Sequence, residues 1–168
     1  MTLRLILIRH AKSDWSTPGM PDHDRPLNAR GRMQAPLIGK WLASRHDLPG
    51  QVLCSDATRT VETLTLILAE LPEAPAVTIT PALYHAPALM MLDALKGQTA
   101  PVVMLVGHNP GIAELAGSLV HTPSLHARFS DYPTGATTVI DWGLTSWAEV
   151  EIGSGAVRDF IVPDDLTD

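Results

Sequence analysis

Cysteine is almost missing from this 168-residue chain. Cys54 stands alone, which excludes an internal disulfide and a metal cage built of cysteines. Long apolar runs are missing too: none reaches the ~18 residues that a membrane span needs. The N-terminus lacks a secretory signal's order of basic region, apolar region and small-residue cleavage site, so the expected setting is cytoplasmic, without membrane contact. Positive charge is short. A formal net charge of -6 argues against nucleic acid as a partner. There are no internal repeats, low-complexity tracts or linker-like stretches, and the length predicts one domain over residues 1–168 with a full core.

The scarce positive charge is unevenly placed. Residues 1–59 hold nine of the twelve Lys and Arg, against five acids, so that half stands at +4 and the rest at -10. An acidic chain that keeps its arginines together is expected to use some of them on a small or local anion. Arg30, Arg32, Lys40 and Arg45 read as ordinary helix-surface charge.

The most informative stretch opens the chain. Leu3-Arg4-Leu5-Ile6-Leu7-Ile8 is an apolar run that reads as a buried strand of an α/β sheet. It delivers Arg9, His10, Lys12 and Ser13 to the carboxyl end of that strand, where ligands of such sheets bind. A loop over 14–28 follows, with Pro18, Gly19, Pro21 and Pro26, and Asn28 is placed to cap a helix that carries Gln34, Leu37, Ile38, Trp41 and Leu42.

Residues 51–54 predict a second strand. Ser55 or Asp56 is expected to cap a helix with Val61, Leu64, Ile67, Leu68 and Leu71 on one face. Residues 77–79 predict an edge strand, 81–87 a loop holding Tyr84 and His85, and 88–96 a helix stopped by Gly97. Residues 101–106 are the second strong buried strand, ending in Gly107-His108-Asn109-Pro110-Gly111 before a helix through Ile112, Leu115 and Leu119. After a loop over 121–135, residues 136–142 and 147–152 alternate like an antiparallel hairpin, and the acidic tail from Val162 is expected to be loose. The predicted fold class is α/β: a three-layer sandwich with a mostly parallel, mixed central sheet flanked by helices, and a C-terminal antiparallel hairpin.

Three predicted strands thus end in polar groups followed by helix starts: Arg9-His10, Ser55 to Arg59, and Gly107-His108. Parallel strands align their carboxyl ends, so these clusters can meet, with Arg25 of the flexible loop as a fourth element. Two histidines and several arginines at helix N-termini suit an anion, and phosphate above others.

Leu7-Ile8-Arg9-His10-Ala11-Lys12-Ser13 resembles the Arg-His signature of the histidine phosphatase (phosphoglycerate-mutase-like) superfamily. Ser55-Asp56-Ala57-Thr58-Arg59-Thr60-Val61-Glu62-Thr63 resembles its second motif, and Val106-Gly107-His108-Asn109-Pro110 the segment of its second histidine. Asp24-Arg25-Pro26-Leu27 followed by Arg30-Gly31-Arg32 is similar to the compact SixA-type branch of phosphohistidine phosphatases. The four motifs stand in family order and span residues 3–111. The resemblance implies a hydrolase in which His10 is the nucleophile, Arg9, Arg25 and Arg59 clamp phosphoryl oxygens, and His108 is a further donor. Ser13 and Asn109 are expected to add neutral hydrogen bonds to substrate, and no metal or cofactor is implied. Arginine forks match oxygen pairs bidentately, and phosphoryl transfer is mostly positioning plus charge stabilisation.

One part of the family pattern is missing. Larger members carry a carboxylic acid that protonates the leaving oxygen, and the corresponding stretch, Leu83-Tyr84-His85-Ala86-Pro87, has none. That favours a phosphorylated histidine, whose imidazole leaves readily, and a phosphorylated protein as partner. His85, or Asp56 near Arg59, would widen the range to phosphate esters. The alternatives are a small-molecule phosphomonoesterase using the same pocket and a phosphate-binding module without catalysis. Trp15 is a candidate substrate contact or a core-edge residue.

Overall fold

The computed structural model describes residues 2–167. Six strands form one sheet: β1 (Leu3–Arg9), β2 (Gln51–Ser55), β3 (Ala76–Thr80), β4 (Val102–Gly107), β5 (Thr137–Trp142) and β6 (Ala156–Ile161), in the order β3-β2-β4-β1-β5-β6. β1, β4, β2 and β3 run parallel, while β5 and β6 are antiparallel additions beside β1. The helices are α1 (Ala29–Ser44), α2 (Thr58–Leu68), α3 (Ala88–Lys96) and α4 (Gly111–Leu119). This is the expected α/β architecture.

The alternation of β1 explains the three layers. Leu3, Leu5 and Leu7 join one core cluster with residues of α3 and α4, whereas Ile6 and Ile8 join another with Ile38 and Leu42 of α1 and Ile67 of α2. Because successive strand side chains point to opposite faces, a strand packed on both must be apolar throughout. Only Arg4 interrupts the run, and it is neutralised by Asp141 at 2.7 Å and the buried Asp47 at 2.8 Å.

Asn28 caps α1 as expected, its side-chain oxygen accepting from the Gly31 N–H at 2.9 Å. Three expectations fail. Residues 147–149 form a short 3-10 turn, and the mate of β5 is β6. Ser146 caps that turn, and Trp147 and Val150 are buried three residues apart, a turn's spacing that mimics strand alternation. The cap of α2 is Ala57 without a side-chain bond, and Ser55 accepts from the Ala57 N–H instead. The tail is docked: Pro163–Leu166 forms a 3-10 turn with Pro163 buried, Asp164 paired with Arg30 and Asp165 with His126. Asp168, the last residue of that tail, lies outside the described residues.

The carboxyl ends of β2, β4 and β1 are neighbours, so Ser55, Gly107 and Arg9 open onto one edge. The turn leaving β1 is seated on α1, where a Cβ at Gly31 would come within 2.2 Å of the Lys12 carbonyl oxygen. Gly31→Ala must push this turn away. The expected result is a stability loss of roughly 1–3 kcal/mol by denaturant unfolding. A larger proportional fall in any activity that depends on His10 should accompany it, because the displaced segment carries that residue.

Candidate active site

The turn after β1 fixes the state of His10. Its Nδ1 lies 2.7 Å from the Ala11 carbonyl oxygen, which can only accept, so Nδ1 carries the proton. Nε2 is then the lone-pair nitrogen, and the Arg59 Nε–H points at it from 3.4 Å. Burial, with Arg59, Arg9 and Arg25 adding to it, pushes the His10 imidazole down to about 3 despite the Ala11 bond. The ring is a neutral base at physiological pH. Ala11 is itself held, its N–H donating to Thr63 Oγ1 at 3.0 Å, while Thr63 donates to the Arg59 carbonyl at 2.7 Å.

Arg59 sits in the first turn of α2 and is buried. Its Nη1 donates to the Asp22 carbonyl at 2.7 Å and its Nη2 to Asp22 Oδ2 at 2.9 Å. Arg25, also buried, donates Nε and Nη2 to Asp22 Oδ1 at 3.1 and 2.9 Å and Nη1 to Ser13 Oγ at 2.7 Å. Its guanidinium lies 3.5 Å from the centroid of the exposed Trp15 ring. One carboxylate therefore ties two arginines together, and Tyr84 Oη at 2.5 Å and His85 Nε2 at 3.0 Å converge on its Oδ2. Burial alone would raise Asp22; hydrogen bonds from Tyr84, His85, Arg25 and Arg59 outweigh it and hold the carboxyl far below the usual range.

The fourth element is the end of β4. His108 is buried, with Nε2 2.8 Å from Ser55 Oγ and Nδ1 without a partner among the described residues. Burial, joined by His10, Arg59 and His85 and opposed by the charge of Asp22, lowers its imidazole to about 2. Asn109 Nδ2 donates to the Tyr132 carbonyl at 2.9 Å, and Arg9 Nη1 reaches the same oxygen at 3.2 Å. Tyr132 is anchored below by its hydroxyl, which donates to the Leu7 carbonyl at 2.7 Å. The loop over 121–135 is thus a structural arm of the site.

All seven residues singled out from sequence line one cavity of about 250 Å³: Arg9, His10, Ser13, Arg25, Arg59, His108 and Asn109. Ser13 accepts from Arg25, and Asn109 is engaged with the loop backbone, so each orients a neighbour. Asp56 pairs with His23 at 2.9 Å, and the acid that pairs with Arg59 is Asp22. Sequence reasoning missed Asp22. Its one signal was the spacing to Arg25: three residues on a 3-10 turn bring both side chains to one side. Among the described residues, no three His, Cys, Asp or Glu side chains group closely enough to hold a metal ion.

Residues 5–84 match the family model of the histidine phosphatase superfamily, branch 1. An uncharacterized protein of Mycobacterium tuberculosis is 33% identical over 163 residues, which is 93% of this chain and 99% of that protein. An uncharacterized chloroplastic protein of Arabidopsis thaliana is 35% identical over 131 residues, 69% of this chain and 58% of that longer protein. The crystal structure of a candidate phosphohistidine phosphatase SixA from Agrobacterium tumefaciens superposes with a TM-score of 0.82 at 30% identity, covering 96% of this chain and 98% of that one. The chain belongs to the histidine phosphatase superfamily and is a hydrolase of that type. Within the superfamily its branch is the SixA type.

The two depressed imidazoles make stability depend on pH with a definite sign. Below 6.5 the unfolded chain protonates His10 and His108 while the folded chain does not, so stability falls as pH drops from 6.5 toward 3. Each group contributes roughly 1.4 kcal/mol per pH unit in that window. Urea unfolding from pH 7 to pH 4.5 should therefore show a slope that His10→Gln reduces; an unchanged slope would remove His10 from the explanation.

Proposed function

We propose that the chain, acting as one domain over residues 1–168, removes a phosphoryl group from phosphohistidine on a protein, through a phosphohistidine intermediate on His10. The observation carrying this reading is the pairing of a neutral His10, lone pair on Nε2, with a pocket whose one carboxylate is held ionised by four donors. Nε2 attacks phosphorus in line, the substrate P–N bond breaks, and its electron pair stays on the leaving ring, which departs as neutral imidazole because its other nitrogen already carries a proton. Guanidinium forks of Arg9, Arg25 and Arg59 and an N–H of His108 take the charge on the equatorial oxygens. Water then cleaves the P–Nε2 bond and releases inorganic phosphate.

A general acid needs a proton at working pH, and Asp22 has none to give. A serine or sugar alkoxide would leave poorly from such a site, whereas a substrate imidazole leaves readily. His85 supports a second reading, hydrolysis of small phosphate esters in the same pocket. It lines the cavity, bonds Asp22 at 3.0 Å and adopts a left-handed φ of 51°, a conformation uncommon outside glycine.

Turnover of a phosphohistidine protein, measured beside a phosphoserine peptide and a phosphosugar, should be the fastest of the three; faster ester hydrolysis would overturn the preference. With labelled phosphohistidine protein, the wild type should trap acid-labile phosphate. His10→Ala should trap none and lose turnover by at least roughly a thousandfold, yet still bind inorganic phosphate through its arginines.

A further inference from the structure

We propose that a second cavity beside the phosphoryl pocket is an anion subsite for a carboxylate side chain of the substrate protein. The nature of that substrate rests on the phosphohistidine reading; the subsite itself does not. The cavity holds about 360 Å³ against about 250 Å³ for the phosphoryl pocket, and the two share Arg9, Lys12 and Thr134 as a common wall. Beyond that wall stand Arg30 and Gln34 of α1 and Arg128 of the 121–135 loop.

Charge decides what the cavity can hold. Four cations line it against two acids, Asp131 and Asp164. Both acids are engaged, Asp131 with Arg128 at 3.0 Å and Asp164 with Arg30 at 3.1 Å. Arg9 and Lys12 have no carboxylate within ion-pair distance among the described residues. Arg9 Nε is buried with no acceptor. With Arg9 shared between the two cavities and partly engaged by the phosphoryl group, a local excess of positive charge still stands open at Lys12 and Arg9 Nε in a chain of net charge -6, whose remaining surface repels an acidic partner.

A second observation points the same way. Gln34 lines this cavity, and its side-chain amide, bonded to no other described residue, is open to the solvent that fills it. An amide N–H beside Lys12 and the unpartnered Nε–H of Arg9 fits a carboxylate, which accepts from all three.

The test uses phosphohistidine peptides that carry Glu or Gln in turn at each of the three positions on either side. Phenyl phosphate and its carboxylate-bearing analogue form a second pair. The wild type should favour the acidic member by about tenfold in KM with kcat unchanged, as one charge-assisted contact would give. Raising salt to roughly 0.3 M should shrink that preference. Arg128→Glu, at an exposed position, should abolish it while leaving the neutral substrates unaffected, and Gln34→Leu should reduce it. Equal KM values for acidic and neutral members in both pairs would overturn the subsite, as would a preference that survives Arg128→Glu. If neither phosphohistidine peptide is turned over, the phosphohistidine reading fails and the ester pair alone decides the subsite.

Discussion

The donation from His10 Nδ1 to the Ala11 carbonyl, over 2.7 Å, determines which ring nitrogen is available, and much of the fold serves to keep it. The His10 N–H donates to the Gly107 carbonyl, and the His10 carbonyl accepts from the Gly135 N–H. Thr63 of α2 holds the Ala11 N–H, and α1 closes on the Lys12 carbonyl through a residue without a side chain. Strand β4, the loop before β5, and helices α1 and α2 thus each fix one atom of a three-residue turn. A histidine able to rotate would sample both nitrogens; this one presents Nε2.

Charge in the pocket follows from that arrangement. Three arginines stand around two buried imidazoles: all three help to keep His10 neutral, and Arg59 does the same for His108. Uncompensated, the guanidiniums would also repel one another, and Arg59 does push the Arg9 guanidinium down alongside its burial. Asp22 relieves this by bridging Arg25 and Arg59. It also competes for donors that a phosphoryl group would engage, so it holds the clamp in shape at some cost in anion affinity. A carboxylate in this position suits a site that must release phosphate as readily as it captures it.

What could be read in advance followed the physics of repetition. β1 and β4 are continuous apolar runs because both faces of the sheet are covered, and such runs announce themselves. The residues at their ends could be paired because parallel strands share a carboxyl edge, which brought Arg9, His10, Arg59 and His108 together before any geometry was known. β6 escaped because it is an edge strand of mixed burial, with Arg158 and Asp159 inside it and little apolar pattern. Asp22 escaped for a related reason: it lies in a proline-rich loop with no period, and its partners Tyr84 and His85 are some sixty residues away. Long-range pairs between irregular segments leave no local trace in sequence.

The stretch after β3 and the loop after β1 together settle how this pocket handles protons. The former offers Tyr84 and His85 but no carboxyl; the latter supplies the carboxyl and places it against them. An acid catalyst of neutral solution needs its affinity for protons raised, by burial without partners or by a like charge. Asp22 experiences the reverse, since every neighbour within hydrogen-bond distance donates to it. A carboxylate so placed is a structural anion. Under the proposed function, the demand for a good leaving group passes from the enzyme to the substrate, and phosphoramidates meet it where alkyl esters do not.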